Sequence, residues 1–516
     1  MATSTTAPVK TRRSKRGYPE DAKTIFGVST MSIQQVVATG MITGTLMIFL
    51  TDYANLFPGQ PGAAAGAAAL LLVVGRVWDA VNDPILGFVM DRSPRTRYGR
   101  FKPFALVAIP SSAVLLILMF NLPAGWPDYM KLAALYVLYF AFDACFTLMP
   151  FLPMMQSLSP DARIRSKLMG FYRVPSLIFA MLGSSFMAIA IALGTPSDPN
   201  IGLAVVVFMV PVTLLSLLGV ALIKEGRGTV DEEQVKIADV VAMFRTNKPL
   251  WIAQLSAVFF GFVWNMLFAG AQYYAKYAFG VENFGTASLL LGVSIILATI
   301  LGVFVVQPFV KRYTPGNVNM WCLGIAGVPL AVLYLLNLGG PITSMPLFFG
   351  LMFLTMLAIG AGFVPGQVMT LECMDYNKYK VGKTMQGSLN SVVGFIQKLQ
   401  SAAAAAVTGA ILVAIGYDAA AFEKAETIPA ELFGGLGLAM FGIPVLCVVA
   451  AVAIQWFYPL RKKADRDRMY AEIAAAGVDL EHDTVADPTS HDGVLTDAAE
   501  VTAAEYNRPV SAEELK

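Results

Sequence analysis

The chain has 516 residues, of which 56% are hydrophobic and only 14% charged, and its mean hydropathy is +0.62. That balance excludes a soluble globular protein of this length and makes the chain an integral membrane protein. The net charge of +2 gives no electrostatic case for a nucleic-acid partner, so the informative quantity is where the charges sit.

Residues 1–23 form a basic arm, MATSTTAPVKTRRSKRGYPEDAK. No short apolar core with a small-residue cleavage site follows it closely, so a cleaved signal peptide is rejected and the first spanning helix serves as the insertion signal. Crossing the hydrocarbon core takes about 20 apolar residues. Twelve stretches meet that need: Thr24 to Asn55, Gly62 to Asp91, Phe104 to Leu122, Tyr129 to Gln156, Met169 to Leu193 and Ile201 to Ile223, then Leu250 to Ala278, Phe284 to Val310, Val318 to Leu338, Ser344 to Glu372, Met385 to Tyr417 and Leu432 to Tyr458.

The connecting loops test that count independently. Lys and Arg crowd the N-terminal arm, the second loop (Arg92, Arg95, Arg97, Arg100, Lys102), the fourth (Arg163, Arg165, Lys167), the sixth (Lys224, Arg227, Lys236, Arg245, Lys248), the eighth (Lys311, Arg312), the tenth (Lys378, Lys380, Lys383) and the tail (Arg461, Lys462, Lys463). The odd-numbered loops carry few or none. The positive-inside rule then places both termini in the cytoplasm, as expected of a multi-pass plasma-membrane protein.

The long polar loop 224–249 divides the spans into two six-helix halves, 24–223 and 250–458, and 459–516 form a tail that starts with the helix-favouring RKKADRDRMYAEIAAA and ends polar and acidic. The second span closes on G-x-x-x-D-R, Gly87 to Arg92. The eighth closes on Gly302, Pro308, Lys311 and Arg312, a weaker echo that supports an internal repeat.

The richest stretch is GRVWDAVNDPILGFVMDRSPRTRYGRFKP, Gly75 to Pro103. It places Arg76, Asp79 and Asp83 in a segment otherwise suited to lipid, where one charge costs on the order of 3 kcal/mol or more unless it is compensated. Asp79 and Asp83 lie four apart on one helical face, with Arg76 three residues before them. Two acids with a built-in counter-charge suit a small cation or a proton; the blander reading is a structural ion-pair set that fixes helix packing. Cys145, Cys322, Cys373 and Cys447 fall in apolar runs without metal-ligand spacing, and His482 and His491 lie in the tail. Any proton work at membrane depth therefore falls to carboxylates.

These residues resemble the glycoside-pentoside-hexuronide cation symporters, the melibiose-permease group of the major facilitator superfamily. The second-span motif with RYGRFKP carries most of the likeness. Asp143 with the PFLPMMQSLSPDARIRSKLMGFYR segment that ends at Arg173, and MDYNKYKVGKTMQGSLNSVVGFIQK from Met374 to Lys398, are similar to further family segments in the same order. The resemblance implies a major facilitator fold and alternating access, with a cation moving downhill to drive sugar uptake, a proton or sodium ion as the coupling ion and no cofactor.

By position it implies Asp79 and Asp83 as the cation site, with any sodium ion held there, Asp143 and Arg173 near the sugar, and Lys398 facing the acids; Arg76 completes the charge network. The family's sodium-using members often add an acid in the first helix. Here that stretch reads Ser32, Ile33, Gln34, Gln35, which favours a proton, although glutamine amides also offer oxygen to sodium. Thr384 stands where relatives commonly have arginine.

Sugars are held by aromatic faces and rings of polar groups, which makes Trp264, Asn265, Gln272 and Tyr273 candidates in the seventh span. Trp264 packing against lipid is an equal reading. Gln386, Asn390 and Gln397 share a stripe of the eleventh span and are placed to line the pathway. Asp91 with Arg92, together with Arg100 and Asp375, are expected at a cytoplasmic gate; most of the second loop's cations serve only as topology signals, and Glu372 and Asp375 either join the gate or face water.

The expected function is import of a glycoside, pentoside or related sugar, in contact with membrane lipid and with no obligate protein partner. The alternative is sodium-linked transport of an amphipathic substrate such as a lysolipid. A membrane-bound enzyme is disfavoured, because the chain lacks a sizeable extramembrane domain, an embedded histidine, a metal-ligand cluster and a phosphate-cradling glycine loop.

Overall fold

A computed structural model describes residues 21–156, 158, 168, 171–172, 175–176, 178–180, 182–183, 185–224, 242–243, 245–381, 386–424 and 430–475. Among them the only bridge outside helices, turns and loops joins Thr96 and Gly99. Among the described residues, eleven helical stretches are long and apolar enough to cross a membrane: Ala22–Leu46, Ala63–Gly87, Lys102–Phe120, Asp128–Thr147, Ile201–Leu222, Lys248–Ala278, Val281–Arg312, Pro315–Leu338, Met345–Lys378, Val392–Ala414 and Glu431–Trp456. They match eleven of the twelve predicted spans, the first to the fourth and the sixth to the twelfth. The predicted fifth span is interrupted by seven residues outside the description, and its continuous part ends in the helix Phe186–Ala192. The all-α membrane fold read from the sequence is the fold the chain has.

The first span is not one uniform helix. Asp21 accepts from the backbone N–H of Thr24 at 2.8 Å and starts the α-helix Ala22–Thr30. After Ile33–Met41 the backbone widens into two π-helical stretches, Ile42–Leu46 and Phe49–Tyr53. Such wide turns weaken the helical ladder and are frequent where a helix does work.

Within the first half, the first span packs on the sixth, the second on the fourth, and the third on both the fourth and the sixth. Within the other half the seventh packs on the eleventh and twelfth, the tenth on the eighth and ninth, and the ninth on the twelfth. The halves meet where the second span lies along the eleventh, the first touches the seventh, and Phe186–Ala192 touches the eighth. Close approach at the first of these seams rests on missing side-chain atoms: a Cβ on Gly409 would overlap that of Ala69. Leu214, Phe304, Val328 and Leu446 are among the large apolar residues that the helices leave exposed on their outer faces.

Helices of the second and eighth spans end on the paired motif positions, at Arg92 and Arg312. After Arg92 the chain turns through Arg97 and Tyr98, with Thr96 and Gly99 exchanging backbone hydrogen bonds of 2.9 and 3.1 Å. Gly99 has φ +119°, a conformation open to glycine, which is why the RYGR turn needs it. Lys102, grouped in the sequence with the topology signals, is buried and donates from Nζ to the carbonyls of Ala221 and Ile223 at 2.7 Å each, capping the end of the sixth span.

The tenth-span helix, Met345–Val381, outruns its predicted end at Glu372 by nine residues. Hydropathy marks where lipid ends, whereas the helix continues as far as tertiary packing supports it. Here the tail helix Lys463–Ala475 folds back, so that Met469, Tyr470 and Ile473 cluster with Met369 and Tyr458. Arg466 Nε meets Glu372 at 2.6 Å, Tyr458 donates to Glu372 at 3.1 Å, and Tyr470 donates to Asp375 at 3.0 Å.

Candidate functional site

The second-span helix places Arg76, Asp79 and Asp83 at i, i+3 and i+7, so all three share one side. That side faces a cavity of about 310 Å³. Gln35, Thr39, Ile42 and Thr43 of the first span form one wall; Tyr139, Phe142, Asp143, Phe146 and Thr147 of the fourth form another, with Met149 beyond, and Lys398 of the eleventh closes it from the other half. A smaller cavity of about 40 Å³ adjoins it, sharing Ile42, Thr43 and Arg76 and adding Asn265, Ser401 and Ala405.

Charge is distributed unequally along this wall. Arg76 Nη1 donates to Asp79 Oδ2 at 3.0 Å, and its Nη2 reaches across to Ser401 Oγ at 3.1 Å, so one guanidinium touches both halves. Lys398 pairs with Asp83 Oδ2, whose other oxygen accepts from Thr147 Oγ1 at 2.7 Å. The Asp79 side chain is 2% exposed, the Asp83 side chain 37%. Asp83 and Lys398 thus sit where water enters, and Asp79 where it is excluded.

Asp79 Oδ1 and Asp143 Oδ2 are buried without hydrogen-bond partners. A buried acceptor left unmet costs about 1–3 kcal/mol, so each of these oxygens is a ready seat for a proton, a small cation or a donor hydroxyl. Aromatic faces stand beside them. Gly75 has no side chain, and a Cβ there would overlap the Tyr139 ring, so Tyr139 lies flush against the second span.

The structure therefore gathers Arg76, Asp79, Asp83, Asp143 and Lys398 around one chamber. Other sequence candidates fall elsewhere. Arg173 lies outside the described residues, while Gln386 and Asn390 belong to the helix Gln386–Ala414, their side chains outside the description. Trp264 packs against Phe268 and Phe363, at ring separations of 4.7 and 5.5 Å, and lines neither cavity; its neighbour Asn265 lines the smaller one. Gln397 is exposed, and Gln272 is buried.

Among the expected gate residues, Arg92 and Arg100 are exposed, and the side chain of Asp91 is outside the description. Asp375 and Glu372, left by the sequence between a gate and water, are 4% and 1% exposed beneath the tail helix.

Several groups on the chamber wall were not singled out from the sequence. Tyr139 and Thr147 stand four residues before and after Asp143, so helical spacing from that acid would have found both. At the far end of the bundle from Arg92, Lys276 Nζ meets Asp52 Oδ2 at 2.7 Å with both side chains fully buried. Each lies near the end of a span, where a lone charge reads as interfacial, and no local pattern links residues 224 positions apart.

The family description "MFS/sugar transport protein" matches residues 26–462. The glucuronide carrier protein homolog of Escherichia coli (strain K12) is 25% identical over 456 residues, covering 86% of this chain and 93% of that protein. The sodium-dependent lysophosphatidylcholine symporter 1-A of Danio rerio is 28% identical over 198 residues, which is 37% of this chain and 34% of that protein. The crystal structure of a D-xylose-proton symporter shares the fold, with a TM-score of 0.60 at 14% identity, over 84% of this chain and 97% of its own.

Proposed function

The chain belongs to the MFS/sugar transport protein family, and on that membership we propose that it is a plasma-membrane symporter that imports a sugar together with a cation, by alternating access. The observation that carries the reading is the pairing of Lys398, from one half, with Asp83, from the other, on the wall of a chamber that also holds Asp79 and Asp143. An ion pair that spans two rigid bodies is remade or broken whenever they rock, and a cation competing for the same carboxylate biases that rocking.

With the basic loops in the cytoplasm, the end closed by Asp52 and Lys276 is external and the chamber faces inward. Asp83, the wetter acid, exchanges its cation with the cytoplasm, while Asp79 is held by Arg76 until the halves rearrange. A chamber of about 310 Å³ is within the range for a small-molecule ligand, and its mix of aromatic faces with carboxyl, hydroxyl and amide groups suits a sugar.

A proton is the favoured coupling ion. No carboxylate stands at 32–35, and of the two glutamines there only Gln35 lines the chamber, since Gln34 is buried and donates to Ser112 at 2.9 Å. The test is uptake of labelled glycosides, pentosides and hexuronides into vesicles, under proton and sodium gradients imposed separately. The expected result is accumulation of at least one sugar under the proton gradient. Uptake of a labelled lysophospholipid in place of every sugar would replace this reading.

A further inference from the structure

Asp52 is more heavily bonded than an ordinary buried acid. Besides Lys276, its carboxylate accepts from Tyr417 Oη at 2.9 and 3.0 Å and from Thr51 Oγ1 at 2.6 Å. The shell extends further: Thr51 Oγ1 meets Tyr273 Oη, and Tyr277 Oη meets Tyr417 Oη, each at 2.8 Å. Lys276 Nζ also lies 5.0 Å from the centre of the Tyr53 ring and 5.6 Å from that of Tyr277. The backbone N–H of Gly62 donates to the Tyr417 carbonyl at 2.9 Å, so the start of the second span joins the same knot.

The members of this knot come from both halves. Thr51, Asp52 and Tyr53 end the first span, Tyr273, Lys276 and Tyr277 end the seventh, and Tyr417 follows the eleventh. None of them lines either cavity, so the knot is not part of the chamber described above. A fully buried ion pair is tolerable only where hydrogen bonds offset its desolvation, and the bonds from Lys276 and Tyr417 to Asp52 exist only with the two halves together. Once they part, water solvates both charges. The pair is therefore bistable, favourable when fully closed or fully open and costly in between.

The first span also connects this knot to the chamber. Thr39 and Thr43 form chamber wall and Asp52 forms the knot, and the π-helical stretches Ile42–Leu46 and Phe49–Tyr53 lie at and beyond that wall. Bending there swings Asp52 relative to the wall.

We propose that Asp52, Lys276 and Tyr417 form the external latch, whose release opens the path through the small cavity to the chamber, with the π-helical part of the first span as its hinge. This rests on the alternating-access reading, and the test below needs no substrate. In a background with the four native cysteines replaced, Ala405→Cys in the small cavity is labelled from outside by a membrane-impermeant maleimide, scored per molecule at the membrane.

Asp52→Asn and Lys276→Gln are each expected to raise the labelling rate by about fivefold or more. Tyr417→Phe removes one hydroxyl and is expected to give a smaller rise, and it provides the reading if the charge variants fail to reach the membrane. The reciprocal swap, Asp52→Lys with Lys276→Asp, is expected to bring the rate back toward the parent. Unchanged labelling in the variants that reach the membrane, or a rise seen only when the reagent is applied from the opposite face, overturns the latch. Loss of sugar uptake alone does not bear on it, whereas failure of every sugar in the vesicle panel with labelling as expected overturns only the transport reading.

Discussion

Lys398 on the eleventh span and Asp83 on the second stand 315 residues apart in sequence and meet as an ion pair on the chamber wall. Each is a charge that the opposite half neutralises. Asp83→Asn is expected to reduce the accumulation ratio of labelled sugar to about unity, while sugar-for-sugar exchange across the vesicle membrane persists. The double variant Asp83→Asn with Lys398→Gln removes both charges and is expected to reach the membrane at parental levels, still without accumulation. Undiminished accumulation by Asp83→Asn removes this residue from the coupling site.

Arg76 holds an acid that water hardly reaches. With its partner removed, Asp79 is left as a buried charge, and breaking such a pair costs about 3 kcal/mol, the low end of the usual range because the Arg76 side chain is 26% exposed. Arg76→Gln is expected to lower the thermal unfolding temperature in detergent, and Arg76→Gln with Asp79→Asn to recover most of the loss. Arg76→Lys keeps the charge but gives up the two-pronged reach to Asp79 and Ser401, so it is expected to stay stable while transporting poorly.

Gly75 tests whether the Tyr139 ring is held by shape. Adding a methyl group where that ring lies forces the second and fourth spans apart or turns the ring into the chamber, and overpacking of this kind costs about 1–3 kcal/mol. Gly75→Ala is expected to lower the unfolding temperature and to raise the KM for sugar. Gly75→Ala with Tyr139→Ala is expected to regain the stability and not the KM.

The tail helix carries a pH dependence of its own. Burial, followed by the charges of Asp375 and Glu372, pushes the Tyr470 phenol above its ordinary value of 10.0. The folded state therefore keeps this proton where the unfolded chain releases it. The stability it contributes is present in full below pH 10 and is lost as pH rises beyond that. Unfolding temperatures measured from pH 9 to 11 are expected to fall at the alkaline end, by less in Tyr470→Phe. Arg466→Ala, which leaves Glu372 buried with only the Tyr458 hydroxyl, is expected to loosen the same helix at neutral pH, seen as faster proteolysis of the tail.

Much of this molecule was legible as a string of residues, because insertion into lipid depends on quantities that add along the chain. Apolar length marked the described spans, and acids at membrane depth marked Asp79, Asp83 and Asp143, since hydrocarbon tolerates few such groups without a use for them. Spacing of three and four residues was enough to put Arg76, Asp79 and Asp83 on one side of a helix.

What the string does not contain is the register between distant helices. Asp52 and Lys276 each look like a routine charge at a helix end until the halves come together and bury both. The tenth span runs to Val381, past its apolar limit, because the tail helix covers it. Trp264 turned to Phe268 and Phe363 rather than to either cavity, since a helix's rotation is fixed by its neighbours and not by its own sequence. Local patterns determine which groups are costly to bury, and only the packed fold decides which of them compensate one another, because electrostatic and packing energies depend on separation in space.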